Sequence, residues 1–216
     1  MDSSFLNVAG VAIVLDMIVT IKTNRAYLSE IDGAIGDGDH GVNMSKGFTI
    51  CGERLKGQGL DLSESLHTLG DTLLVDIGGS MGPIYGSLFL GMSRAIAGQE
   101  VINKDVFGQM LEGGLIGVTS IVTTPCGDKT LMDTLIPAVR EYTNALAHGK
   151  TFEVALEDMK TAAERGKDST KDMIARVGRA SRLGERSRGV LDAGATSCFL
   201  IIDSMCTSTK CLLETG

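Results

Sequence analysis

Asp32-Gly33-Ala34-Ile35-Gly36-Asp37-Gly38-Asp39-His40-Gly41-Val42-Asn43-Met44 sets three carboxylates within eight positions and interleaves them with four glycines. Glycine lets the backbone take positive φ and come close to a ligand. Carboxylate oxygens are hard donors, a set that suits Mg²⁺ better than a softer or imidazole-seeking metal. Mg²⁺ keeps waters and borrows oxygens from substrate phosphates instead of filling an all-protein cage. Directly after Asp39, His40 to Asn43 would open a helix whose free N–H groups face an anion. One site could therefore serve a phosphate and its metal. A plain turn, with Asp32 as a cap, accounts for any single Asp-Gly pair, but poorly for this density between two apolar segments. A calcium loop of the EF-hand kind is excluded, because its twelfth position must be Glu. Counting from Asp37 or from Asp32, that position is Phe48 or Asn43.

Outward from this stretch, apolar residues recur at helical steps. Phe5, Val8, Ala9, Ala12, Leu15, Ile18 and Val19 predict a first helix, with Ser3 or Ser4 as its cap. A second runs from His40 towards Leu55 and a third from Ser63 to about Asp76. Pro83 suits the first turn of a fourth, which carries Leu88, Met92 and Ala95. A fifth begins at Asn103 or Lys104 and buries Val106, Met110, Leu111, Leu115 and Val118. The sixth follows Thr130 with Pro137 inside it, where a kink is expected. The seventh starts at Thr151 and extends as far as Arg176; the eighth holds Ala195, Cys198, Phe199, Ile202 and Met205. Thr119 to Thr124 is the one β-rich run. No repeat or linker divides the chain, so residues 1–216 read as a single all-α domain, a bundle of about eight amphipathic helices.

Three more helix junctions carry polar chemistry. Gly78-Gly79-Ser80-Met81-Gly82-Pro83 has the make-up of an anion cradle of backbone N–H groups, though it lacks the Gly-Lys-Ser/Thr of a Walker A loop, and a plain helix-helix turn accounts for it at least as well. Gly127-Asp128-Lys129-Thr130 is another start, where Asp128 could cap and Lys129 could meet a phosphate, with the purely structural role favoured. Arg176, Arg179, Arg182, Arg186 and Arg188 lie in one short span of an acidic chain. Arginine clamps phosphate oxygens two at a time, while a solvated charged loop is an equal alternative. That span ends in Asp192-Ala193-Gly194-Ala195-Thr196, a further turn into a helix. Gathered at one end of a bundle, these entrances would form one pocket for a phosphorylated ligand and its metal.

Composition narrows the class. The chain is 43% hydrophobic but only 4% aromatic and has no Trp, so an aliphatic, Met-rich core is expected. A net charge of −7 argues against general nucleic-acid or membrane-surface binding. Cys51, Cys126, Cys198, Cys206 and Cys211 form no C-x-x-C pair and read as small buried hydrophobes in a reducing compartment. The apolar stretch from Phe5 to Ile21 contains Asp16, follows Asp2, and has no basic leader. Neither a signal peptide nor a membrane span is expected, and the location read from this is cytoplasmic.

The motifs taken together resemble the nucleotide-binding L subunit of dihydroxyacetone kinases. The matching pieces are Ile35-Gly36-Asp37-Gly38-Asp39-His40-Gly41 with Asn43 and Met44, Gly78-Gly79 with Gly82-Pro83, and Gly127-Asp128-Lys129-Thr130 with Asp133. They continue as Gly178-Arg179-Ala180-Ser181, Leu183-Gly184-Glu185-Arg186-Ser187 and Gly194-Ala195-Thr196-Ser197, in order across nearly the whole chain. The resemblance implies an antiparallel barrel of eight helices that holds ADP or ATP through two Mg²⁺ ions on Asp32, Asp37 and Asp39. Nucleotide contacts are implied at His40, Gly41, Val42, Asn43, Ser80, Met81, Leu131, Arg179, Asp192, Ala193 and Gly194. It also implies two partners: a phosphotransferase-system protein whose phosphohistidine recharges ADP, and a K subunit that holds dihydroxyacetone on a histidine. No catalytic residue is then expected in this chain, in keeping with a reaction that needs mostly positioning and charge neutralisation.

The chain departs from the family pattern at Met81, where a small residue is usual, and at Val122, where a Gly is. Thr123 to Pro125, Arg182 for a common Tyr, and Ala193 for a Pro are further departures. They leave room for a different ketose or a looser hold on the nucleotide. Two other readings accompany this one. A metal-dependent phosphohydrolase would use the Asp cluster and His40 to activate water, although such sites gather several histidines. A regulatory module without kinase activity would bind ADP and signal to a transcriptional regulator.

Overall fold

In the computed structural model, which describes residues 3–215, the chain opens with a short strand, β1 (Ser4–Leu6), and a 3-10 turn over Asn7–Gly10. The helices α1 (Val11–Thr23), α2 (Arg25–Ile35), α3 (His40–Leu55), α4 (Leu62–Asp76) and α5 (Met81–Ala95) follow. A second strand, β2 (Val101–Asn103), leads into α6 (Lys104–Thr119), α7 (Met132–Ala147) and α8 (Phe152–Ser169). Short 3-10 segments over Thr170–Asp172 and Arg179–Ser187 precede the last helix, α9 (Ala193–Thr215).

Local chemistry sets the helix starts. Asp61 accepts from the Glu64 N–H at 2.9 Å while the Glu64 carboxylate accepts from the Asp61 N–H at 3.0 Å, a reciprocal capping box one turn before Leu66. Asn103 accepts from the N–H groups of Asp105 and Val106, and Thr151 from that of Val154. The cap of α4 is thus Asp61 rather than Ser63. Pro137 sits inside α7, which runs unbroken from Met132 to Ala147.

Eight helices form a closed ring in the order α1, α3, α4, α5, α6, α7, α8, α9, with α9 returning to α1. Neighbours run antiparallel: Gly82 of α5 meets Leu73 of α4 while Gly70 of α4 meets Leu90 of α5, and Gly117 of α6 meets Ser87 of α5 while Gly113 meets Gly91. The N-termini of α3, α5, α7 and α9 meet at one end. The other end is tied by β1 and β2, paired antiparallel with Phe5 opposite Ile102. There the buried Asn7 donates to Asp61 and to the Gln99 carbonyl, and accepts from the Leu62 N–H. The eight-helix antiparallel barrel expected from the sequence is this ring; α2 is an addition to it, packed on α3, on α9 and on the Arg179–Ser187 segment.

Several expectations are corrected. Phe5 is in a strand, so neither Ser3 nor Ser4 caps a helix. The Thr119–Thr124 run holds the end of α6 and a turn, with no strand. Helix α8 stops at Ser169, not Arg176. The core is aliphatic and Met-rich as the composition suggests, and the few aromatics lie mostly inside it, in two groups. Phe48, Phe89 and Tyr85 form one, and Phe107, Tyr142 and Phe152 the other, with ring centroids 5.3–6.4 Å apart. Cys51, Cys198 and Cys206 are buried thiols as expected, whereas Cys126 and Cys211 are exposed; all five are free. No single helix among the described residues is long and apolar enough to cross a membrane.

Candidate functional site

The end where the four N-termini meet encloses a cavity of about 700 Å³. That is within the usual size range of small-molecule sites. All four glycine-bounded entrances reach it. Its walls include Asp32, Asp37, Asp39, His40 and Asn43 from the α2–α3 corner, and Ser80 and Met81 from the start of α5. Leu131 comes from the approach to α7, Arg179 from the last 3-10 segment, and Asp192, Ala193 and Gly194 from the start of α9. Val122 lines it as well, while Arg182 is exposed and does not. Of the residues expected at the site, only Gly41 and Val42 do not line the cavity. Gly41 packs against the backbone of α2, and Val42 lies on the outer side of the same corner.

Asp32 stands in the last turn of α2, and Asp37 and Asp39 in the four-residue loop that follows, where Gly38 takes φ +75°. One oxygen or more from each of the three lies within 4.8 Å of the others. Asp32 also accepts from the His40 N–H at 3.3 Å, which ties the end of α2 to the start of α3. The donor set is all carboxylate, compact and anionic enough to draw the Arg179 guanidinium into an ion pair with Asp37. These residues fit a hard divalent cation.

His40 is half-buried. Its Nε2 lies 2.8 Å from Ser197 Oγ, which in turn lies 2.6 Å from the hydroxyl of the buried Tyr85. Burial lowers the pKa of His40 to about 4, against the opposing pull of the Asp32 charge. The ring is therefore neutral at pH 7. Asp192 does the opposite: burial raises its carboxyl to about 6, although the Ala195 N–H donates to it at 2.7 Å and Lys129 is near. As first residue before α9 it caps that helix.

Lys129 is the clearest case of a charge with a structural duty. It holds a left-handed conformation with φ +62°, and its Nζ donates to the carbonyls of Thr170, Ser187 and Val190, with Met173 at 3.4 Å. Desolvation depresses its pKa. It pins the segment between α8 and α9 to the wall of the site, so the phosphate-facing role considered for it gives way to the structural one. Asp133 performs a related task in α7, accepting from the Thr130 N–H at 2.7 Å and from the Gly127 N–H. Tyr85 escapes the sequence reading, although it lies one helical turn after Met81 and thus under the same face.

The family is visible by direct comparison. A family model, the DAK2 domain, matches residues 34–207. The ADP-binding subunit DhaL of the PEP-dependent dihydroxyacetone kinase of Escherichia coli (strain K12) is 36% identical over 190 residues, 88% of this chain and 90% of that protein. The corresponding subunit of kinase 1 of Listeria innocua is 38% identical over 186 residues, 86% of this chain and 88% of that one. The crystal structure of the C. freundii dihydroxyacetone kinase with AMP-PNP and Mg²⁺ superposes with a TM-score of 0.68 at 21% identity, over 96% of this chain. This chain spans only 35% of that kinase, so the likeness there is one of fold. Sequence and fold agree that the chain belongs to the DAK2-domain family, as a relative of the DhaL subunits of dihydroxyacetone kinases.

Proposed function

We propose that this chain is the ADP/ATP-binding subunit of a kinase for dihydroxyacetone or a related ketose. A phosphohistidine on a phosphotransferase-system protein recharges its ADP, and a separate K-type subunit holds the ketone. The observation that carries the reading is the meeting of four helix N-termini and three carboxylates around one cavity, in a chain over a third identical to two ADP-binding subunits. The N-termini bring partial positive charge to the cavity, which favours a polyphosphate. Asp32, Asp37 and Asp39 would hold Mg²⁺, two ions in this reading, and the metal would neutralise charge on the phosphate oxygens.

The chain's own residues then orient and enclose. Asn43 and Ser80 offer polar side chains at two of the entrances, and Met81, Leu131 and Val122 offer an apolar wall for a base. Arg179 exchanges Asp37 for the phosphates. His67 and His148 do not line the cavity, so among the described residues no second histidine stands ready to anchor a carbonyl. That division of labour assigns the ketone to the partner, docked over the open mouth of the cavity.

Asp37→Ala and Asp39→Ala test the reading. Each removes a carboxylate that offsets the metal charge beside the phosphates, and each is expected to abolish nucleotide retention on purification. Retention of nucleotide at the wild-type level in either variant would reduce the acidic loop to a turn and sink the site assignment.

A further inference from the structure

Between Lys171 and Val190 only Ala175 and Ser187 are buried. The strap that joins α8 to α9 therefore has little apolar surface to keep it in place. Its two legs are tied to each other. The Gly189 N–H donates to the Lys171 carbonyl at 2.7 Å, the Arg188 guanidinium to that of Asp172 at 2.8 Å, and the Ala175 N–H to Ser187 Oγ at 2.9 Å. The tip brings Val177, Gly178, Arg179 and Ala180 into the cavity wall. Apart from its chain ends, the described polar contacts fasten this strap to the barrel at two places. At the tip, Arg179 pairs with Asp37. At the base, the turn before α7 holds it. There the Asp128 carbonyl accepts from the Arg176 N–H at 3.2 Å, the Asp128 carboxylate lies 3.6 Å from the Arg176 guanidinium, and Lys129 reaches in.

Lys129 is 2% exposed. Its Nζ meets Thr170 and Met173 on one leg and Ser187 and Val190 on the other, at 2.5–3.4 Å. All four partners are backbone carbonyls, so the ammonium sits as a compact cation in a ring of carbonyl dipoles. Positive φ is uncommon for a residue with a side chain, yet Lys129 adopts it. Asp133 keeps the turn in that shape by accepting from the N–H groups of Gly127 and Thr130.

We propose that Lys129 is a positioning residue for the bound nucleotide: it clasps the two legs of the strap and thereby sets the reach of Arg179 across the cavity. When Arg179 turns from Asp37 to the phosphates, the tip loses its tie to the barrel, and the clasp at the base keeps the strap over the ligand. A strap without the clasp has to be ordered at the moment of binding, which costs affinity. This deepens the nucleotide reading given above and rests on it.

Lys129→Gly tests the clasp. Glycine tolerates the positive φ, and the stem and ammonium it removes are those of n-butylammonium, which can be added back. In the ligand-free variant, hydrogen exchange of the amides between residues 173 and 188 is expected to quicken about tenfold. Affinity for Mg-ADP, read by calorimetry, should fall by about tenfold, the worth of one lost hydrogen bond. Both should recover in n-butylammonium, which should leave the wild type unchanged. In an Arg179→Ala background, Lys129→Gly should cost little further affinity, because the clasp acts through Arg179. Circular dichroism melts check folding. Ser187→Ala, which cuts the tie to Ala175, carries the same exchange and affinity measurements if Lys129→Gly does not fold. Unchanged exchange and ADP affinity in a folded variant overturn the proposal. So does a loss that adds in full to that of Arg179→Ala, as a merely structural lysine would give. Failure of the wild-type chain to bind Mg-ADP would reject the proposed function and the role of Arg179 with it, while the exchange rates, which need no ligand, would show separately whether Lys129 holds the strap.

Discussion

The acidic triad is legible residue by residue because three carboxylates among four glycines are too dense for an ordinary turn. Residues whose partners lie far along the chain are not legible in this way. Ser197 and Tyr85 are 112 positions apart, and Lys129 makes sense only beside carbonyls on the segment from Thr170 to Val190. Arg179 is expected at the nucleotide; the structure adds that it forms an ion pair with Asp37. Arg179→Ala should therefore act in two directions. ADP binding should weaken by about 1.5–3 kcal/mol with the loss of a charged hydrogen bond, while Mg²⁺ alone should bind at least as tightly because Asp37 is released. Calorimetry with each ligand separately checks this, and unchanged ADP affinity would move Arg179 to a partner-binding surface. Two titrations supply a second prediction. In the metal-free chain His40 titrates near 4 folded and 6.5 unfolded, so its stabilising contribution is full above 6.5 and is lost as pH falls towards 4. Asp192 titrates near 6 folded and 3.8 unfolded, so its contribution is full below 3.8 and is lost as pH rises towards 6. The two oppose each other across the same window. Asp192→Asn should make stability fall on acidification from pH 6.5 to 4, and His40→Gln should make it rise. Urea melts across that range decide it, and parallel profiles for the two variants would refute both shifts.

At the scale of elements, long helices with regular apolar spacing are readable almost to the residue. Helix α3 begins at His40 and ends at Leu55, as the spacing predicts, and α6 begins after Asn103. Helix α2 is hidden in the sequence because Asp32 and Gly33 suggest a turn, and because only Asn24 separates it from α1, to which it stands at 56°. Its own signal is present in Leu28, Ile31 and Ile35, which it buries. Strands β1 and β2 have three residues each, too few for an alternating pattern to emerge. Close packing of helix on helix is equally invisible. Gly117 of α6 lies against the Ser87 carbonyl of α5, where a methyl group would collide with backbone. Gly117→Ala should cost about 1–3 kcal/mol, the usual penalty of overpacking, measured as a lower urea midpoint. Stability unchanged within error would mean that α5 and α6 can separate freely.

For the molecule as a whole, the resemblance and the helix count both lead to the barrel, and the structure adds which end is open. A chain that holds nucleotide and metal but lacks a carbonyl anchor should be inert alone. Purified chain with Mg²⁺, ATP and dihydroxyacetone is expected to yield no sugar phosphate until a K-type subunit is added. Steady formation by the chain alone, following it through purification, would point instead to a self-sufficient kinase. The closure of the ring by α1 against α9 has a further consequence, for synthesis. Contacts between the first and last helices are the most distant in sequence, so they carry the largest loop-closure cost and form late. Asp192 to Gly194, one wall of the cavity, arrive with α9 itself. A chain truncated before α9 therefore has the carboxylates but lacks that wall of the enclosure around them, and is not expected to retain nucleotide.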